Sequence, residues 1–237
     1  MQFIRTLWGD EGRYDKILND IDFIKEHPYK IDATCLTYGV ANHKLLLDQG
    51  INSILIHEGP YKFPKNKIWA HKLYTWVEAS RLYGKFLYLD WDILPLAPLP
   101  EDFDQSLECK RLQISLRRYV HVRCHWRDRK KRESRLLPCA AWIYFGDKNI
   151  PNELFELWKE MARPRREERV LAKYTEHNDS LDMNYYWENY EPHGETTYFY
   201  LENKTAFRKG KVRNKSLFKH YGFNKAPRKP LNNEENS

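Results

Sequence analysis

Along the first half of the chain, apolar residues fall by turns into short unbroken runs and into helical stripes. Phe3 to Trp8, Ala33 to Tyr38, Ile51 to Ile56 and Phe86 to Leu89 have the length and composition of buried strands. Between them, residues Tyr14 to Glu26 set Ile17, Leu18, Ile21 and Ile24 on one helical face. Ala41 to Asp48 reads as a helix closed by Gly50, and Ile68 to Tyr83 as one that turns Leu73, Trp76 and Val77 inward and stops at Gly84. Strands alternating with helices predict right-handed β-α-β units and a nucleotide-binding type of half-domain.

The second half is less regular. ILPLAPLP, from Ile93, holds too many prolines for a helix and is expected to run extended across the surface. Arg111 to Val122 reads as a strand with Leu112, Ile114 and Leu116 on one face, and Cys139 to Phe145 as a buried one. Asn152 to Met161 and Asp179 to Tyr190 read as helices, and Thr196 to Leu201 as a further strand. No internal repeat and no long linker interrupts the chain. The pattern therefore predicts one α/β domain with a mixed, mostly parallel central sheet: a nucleotide-binding half over 1–92, a second half over 93–203, a basic segment over 204–229 and a disordered polar end over 230–237.

The composition, 41% hydrophobic and 31% charged, is that of a soluble globular protein. No run approaches the length of a membrane span, and MQFIRTLWGDEGRYD lacks the features of a signal peptide, so a cytoplasmic location is expected. Cys35, Cys109, Cys124 and Cys139 show no C-x-x-C spacing and are expected to be reduced. His121, Cys124 and His125 lack the second ligand pair of a zinc finger. The net charge of +7 is concentrated: nine Lys or Arg against two acids between Arg117 and Arg135, and ten against none between Lys204 and Lys229. Such clusters suit anionic partners, such as nucleotide phosphates, nucleic acid or acidic headgroups, or else form solvated loops. Interleaved with Tyr119, Trp126, Tyr198 and Phe218, they also suit a nucleic-acid-binding protein, although no recognisable nucleic-acid module is present.

The candidate chemistry lies in KFLYLDWDILP. An apolar strand delivers its last residues to the carboxyl edge of the sheet, where open α/β sheets bind ligands. Alternation along an extended chain points Asp90 and Asp92 the same way, and two hard oxygen ligands suit Mg²⁺ or Mn²⁺ with room left for substrate phosphates. Two other D-x-D pairs have plainer readings: Asp20 and Asp22 lie on an amphipathic helix, and Asp102 and Asp104 are placed to open one. Trp8, ending the first strand, is placed either to stack on a base or to fill the core.

Four blocks in order resemble the nucleotide-sugar glycosyltransferases of the glycogenin and galactinol synthase type. HKLYTW, with Lys72 to Trp76, is similar to the family's K-L-x-x-W, and YLDWDILPL to its D-x-D strand end. CAAWIYF is similar to its N-A-G-V-M strand, and NDSLDMN follows, with Asp179, Met183 and Asn184 matching a D-Q-x-x-L-N helix start. HYGFNKAP is similar to the C-terminal H-x-x-G-x-x-K-P-W. The chain departs from the pattern at Cys139, Ala141 and Ser180, is one residue short before Gly222 and lacks the final Trp.

The resemblance implies a GT-A fold and transfer of a hexose or pentose from a nucleoside-diphosphate sugar, usually UDP-linked, with retention of anomeric configuration. The acceptor is a glycan, a protein or a nucleic acid, a modified base in DNA included. Mn²⁺ or Mg²⁺ would be held by Asp90, Asp92 and His220. Donor contacts would come from Trp8, Gly9, Lys72, Asp90, Gly222 and Lys225, with Asp179, Lys225 and Lys72 in catalytic positions. The chemistry needs these types because leaving-group departure concentrates negative charge on the diphosphate oxygen, which a cation and lysines offset. As residues alone, Asp179 is equally a helix N-cap, His220 an exposed histidine, and Lys72 and Lys225 surface lysines.

Overall fold

Phe3–Leu7 (β1), Ala33–Tyr38 (β2), Ser53–His57 (β3) and Phe86–Leu89 (β4) form the parallel part of the sheet in this computed structural model. The structure describes residues 1–8, 14–58, 70–95, 97–108, 111–119, 135–161, 167–177, 201–202 and 218–220. Tyr14–Glu26 (α1), Val40–Asp48 (α2) and Ala70–Tyr83 (α3) connect the strands as the apolar pattern predicts. Gly50 (φ 69°) and Gly84 (φ 73°) end α2 and α3 in the left-handed region, where a side chain would be strained. Leu112–Tyr119 (β6) and Arg135–Phe145 (β7) complete a six-stranded sheet of order β3-β2-β1-β4-β7-β6, in which β7 is antiparallel to both β4 and β6.

One face of the sheet is covered by α3, Ile150–Glu160 (α5) and Glu167–His177 (α6). Trp76, fully buried, packs there against Tyr88 and Phe145, with Ile4, Leu36, Leu154 and Leu171 in the same core. Each such side chain contributes about 1.5–3 kcal/mol on burial. The helix α6 was not anticipated, and the helix expected over Asp179 to Tyr190 lies outside the described residues.

The ILPLAPLP segment departs from expectation. It is extended at its start but not superficial: Ile93–Pro95 (β5) is buried and pairs antiparallel with Phe218–His220 (β9), which lies beside Leu201–Glu202 (β8) in a second, three-stranded sheet. Phe218, 1% exposed, joins Leu87, Leu89, Ile93, Trp142 and the Phe103–Glu108 helix (α4) on the opposite side of the main sheet from α3. The basic C-terminal region thus contributes a core residue. Of the two other D-x-D pairs, one stands at a helix start as expected, and the other is only partly on the surface, Asp20 being half-buried with its Oδ1 turned inward. The Asp102 backbone carbonyl accepts from the Ser106 amide at the start of α4, Asp104 stands in its first turn and bonds the terminal amine of Met1, and Asp22 is exposed on α1.

Candidate functional site

The sheet's parallel strands point their carboxyl ends at one edge, and β4 ends there at Leu89. Asp90, Trp91 and Asp92 then form a turn, closed by the Ile93 amide donating to the Asp90 carbonyl at 3.1 Å. This differs from the strand alternation expected for the pair. The bend has a cause: Trp91 is drawn inward, its indole donating to the Thr6 carbonyl at 2.7 Å while the Arg5 guanidinium lies 5.2 Å from its ring centre. Arg5 projects from β1, is 3% exposed, and donates to the Ile93 carbonyl at 3.3 Å, so it grips the turn on both sides. Burial pulls its pKa down to about 10, opposed by Cys35, Tyr88, Asp92 and Asp90.

Lys72 was open to reading as a surface lysine, but it is buried. From the first turn of α3 its ammonium reaches Asp90 Oδ1 at 2.7 Å, Glu167 Oε1 at 3.4 Å and the Ala140 carbonyl at 3.1 Å, and lies 5.2 Å from the Tyr88 ring centre. Tyr88 donates its hydroxyl to the same Asp90 oxygen at 3.0 Å, and its pKa is pushed well up by burial and then by Asp90. Asp90 Oδ1 is therefore held from inside by two donors, while the side chain as a whole stays partly exposed.

Glu167, the first residue of α6, is the member of this group that the sequence reading missed. It is 5% exposed, and burial raises its carboxyl pKa while the Lys72 ammonium pulls the other way. Trp8, at the end of β1, is stacked on His71 at 5.3 Å and 16°, and His71 meets Tyr38 edge-on at 5.0 Å. This aromatic group caps β1 and β2 beside the Lys72 turn and is anchored by Tyr38 and Thr75 donating to the His71 carbonyl.

Of the predicted site residues, the structure pairs Lys72 with Asp90 and sets Asp92 in the same turn as Asp90, with Trp8 at the same edge of the sheet. His220 is described by its backbone, which pairs with Ile93, the residue that follows Asp92 in the chain. Gly9, Asp179, Gly222 and Lys225 lie outside the described residues, as do His121, Cys124 and His125. Among the described residues no group of three or more His, Cys, Asp or Glu side chains converges, and none of the helices is long and apolar enough to cross a membrane.

The fold so assembled is that of the GT-A-type glycosyltransferases. The chain is similar over 100% of its length to 91% of an active-site variant of the galactosyltransferase LgtC (17% identity, TM-score 0.52). It is similar over 92% of its length to 96% of mouse xyloside xylosyltransferase 1 (8% identity, TM-score 0.51). It spans 44% of the length of a third match, the glycosyltransferase GlyE of Streptococcus pneumoniae TIGR4 (14% identity, 77% of this chain covered, TM-score 0.47). No protein-family profile and no curated protein matches the sequence.

Proposed function

We propose that the protein is a glycosyltransferase that takes a sugar from a nucleoside-diphosphate donor, UDP-linked by preference, with a divalent cation, Mn²⁺ or Mg²⁺, at Asp90, Asp92 and His220. The observation that carries this reading is the turn at the end of β4: two partly exposed carboxylates at the ligand-binding edge, with the β9 ladder setting His220 opposite Ile93. Two carboxylates and an imidazole are a donor set that Mn²⁺ accepts. Bound there, the cation would offset the negative charge that gathers on the departing diphosphate.

The chain's own residues do the rest. Arg5 and Trp91 fix the turn, Tyr88 and Lys72 orient Asp90, and Lys225 of the C-terminal segment adds positive charge for the diphosphate. Trp8, its ring backed by His71, offers a rigid surface for the base. Lys72 keeps the donor and catalytic roles the family resemblance gives it, through its contact with Asp90, and Asp179, Gly9 and Gly222 are retained as further candidates. Retention of configuration is the outcome favoured by the family resemblance.

Incubation with a panel of nucleotide sugars and Mn²⁺, without acceptor, is expected to release nucleoside diphosphate slowly from one donor. No release from any donor, with acceptors of all three classes also supplied, would count against the reading.

A nucleic-acid acceptor is favoured by one further observation. The β6–β7 ladder continues beyond the end of β4, pairing Ser115 with Cys139 and then Arg117 with Leu137, so the segment holding the Arg117 to Arg135 cluster leaves the sheet at the same edge as Asp90. If the acceptor is DNA, binding should fall steeply with salt, with a log–log slope near the number of phosphates neutralised. Changing Arg127, Arg129, Lys130 and Lys131 to Ala should flatten that slope. Binding to duplex and single strands that ignores the fourfold change would leave a glycan or protein as acceptor.

A further inference from the structure

Lys72 occupies a position that a divalent cation at Asp90 would contest. Its ammonium lies 2.7 Å from Asp90 Oδ1, is 5% exposed, and is shared with Glu167 at 3.4 Å. Three acceptors, Asp90, Glu167 and the Ala140 carbonyl, match the three protons of an ammonium. A second buried cation, Arg5, stands under the same turn. Asp90, Asp92 and Glu167 are thus already balanced in large part by two fixed positive charges, and a free divalent cation entering beside Lys72 meets like-charge repulsion.

Glu167 holds the means of relief. Its carboxylate is 5% exposed, and among the described residues its Oε2 has no side-chain partner, the Glu167 amide being the backbone donor near the group. A buried carboxylate oxygen is most stable with a donor beside it, and the nearest cation is the shared Lys72 ammonium. The lysine stem is flexible, and a short swing toward Glu167 would bring that donor closer without exposing either group.

Resting on the donor reading above, we propose that Glu167 is a positioning residue that takes over the Lys72 ammonium when a divalent cation, accompanied by the donor's diphosphate, engages Asp90. Lys72 is then the internal counter-cation of Asp90 before the divalent cation binds and the partner of Glu167 afterwards. The diphosphate matters because it brings negative charge that the pair of buried cations favours, so the metal enters with the nucleotide and binds weakly without it.

The test is Mn²⁺ binding, read from loss of the free-ion electron paramagnetic resonance signal with and without UDP or GDP, each corrected by the same titration of the nucleotide alone. Native protein is expected to bind Mn²⁺ at least about tenfold more tightly with the matching nucleotide, a measurement that needs no variant. Lys72→Met should raise the affinity for Mn²⁺ alone by about tenfold, and Glu167→Gln should lower nucleotide-supported affinity by a similar factor. In the double variant the Glu167→Gln effect should shrink to less than about threefold, since the two residues act as a unit. Equal Mn²⁺ affinity with and without nucleotide, or a Glu167→Gln effect undiminished in the Lys72→Met background, overturns the inference and leaves the donor reading standing. Absence of Mn²⁺ binding to native protein and variants alike, whichever nucleotide is supplied, overturns both.

Discussion

Asp92→Asn is expected to lower Mn²⁺-dependent release of nucleoside diphosphate by about a hundredfold or more, the equivalent of several kcal/mol of transition-state stabilisation. The substitution keeps the shape of the side chain and removes its charge, so the turn held by Arg5 and Trp91 should survive. Asp90→Asn should be as damaging to turnover but is a less pure probe. Asp90 is paired with the buried Lys72, and removing one partner of a buried pair costs up to about 3–5 kcal/mol, less here because Glu167 still faces the ammonium and Asp90 is itself partly exposed. Thermal unfolding separates the two cases: Asp92→Asn should melt near the native temperature and Asp90→Asn below it. Full turnover by Asp92→Asn at limiting Mn²⁺ would remove Asp92 from the site.

The parallel half of the fold was legible because each of its elements carries its own signal. The α1 and β2 boundaries coincide with the apolar pattern, and Gly50 and Gly84 mark helix ends by a backbone geometry few other residues adopt. The strand end at Asp90 was legible for the same reason, since a run as apolar as FLYL stops abruptly at an acid. The turn that follows was not. Its shape depends on Trp91 reaching Thr6 and on Arg5 lying beneath, contacts that span more than eighty residues of sequence and leave no local trace.

Glu167 was missed for a related reason. EERVLAKY offers the acids of a first helical turn with Val170 and Leu171 behind them, a signal for a helix start, but nothing local marks Glu167 as a site residue, whereas NDSLDMN is similar to the family's motif at Asp179. That Glu167 meets Lys72 follows from α6 packing on α3 and β7, which only the assembled structure shows. Trp8 illustrates the limits in the other direction: sequence offered stacking or core as alternatives, and the structure gives it a stacked neighbour, His71, on one face while leaving it partly exposed.

Truncation of the C-terminus should divide into two distinct outcomes. A chain ending after Lys215 loses β9, and with it Phe218, which is fully buried against Phe103 and Trp142, together with the ladder to Ile93–Pro95. Loss of a buried Phe side chain alone costs about 3–5 kcal/mol, a large part of the stability of a domain. The lost ladder also frees β5, which carries the turn holding Asp92, so this chain should unfold at markedly lower temperature and release no nucleotide. A chain ending after Tyr221 keeps Phe218 and His220 and removes Gly222 and Lys225. It should melt close to the native temperature and still lose most of its turnover, because the charge proposed to meet the diphosphate is gone while the sheet is intact. Melting curves and donor hydrolysis measured on both chains decide the matter. If the shorter chain melts like the native protein, β9 is not part of the core; if the longer one turns over at the native rate, Lys225 has no part in the site.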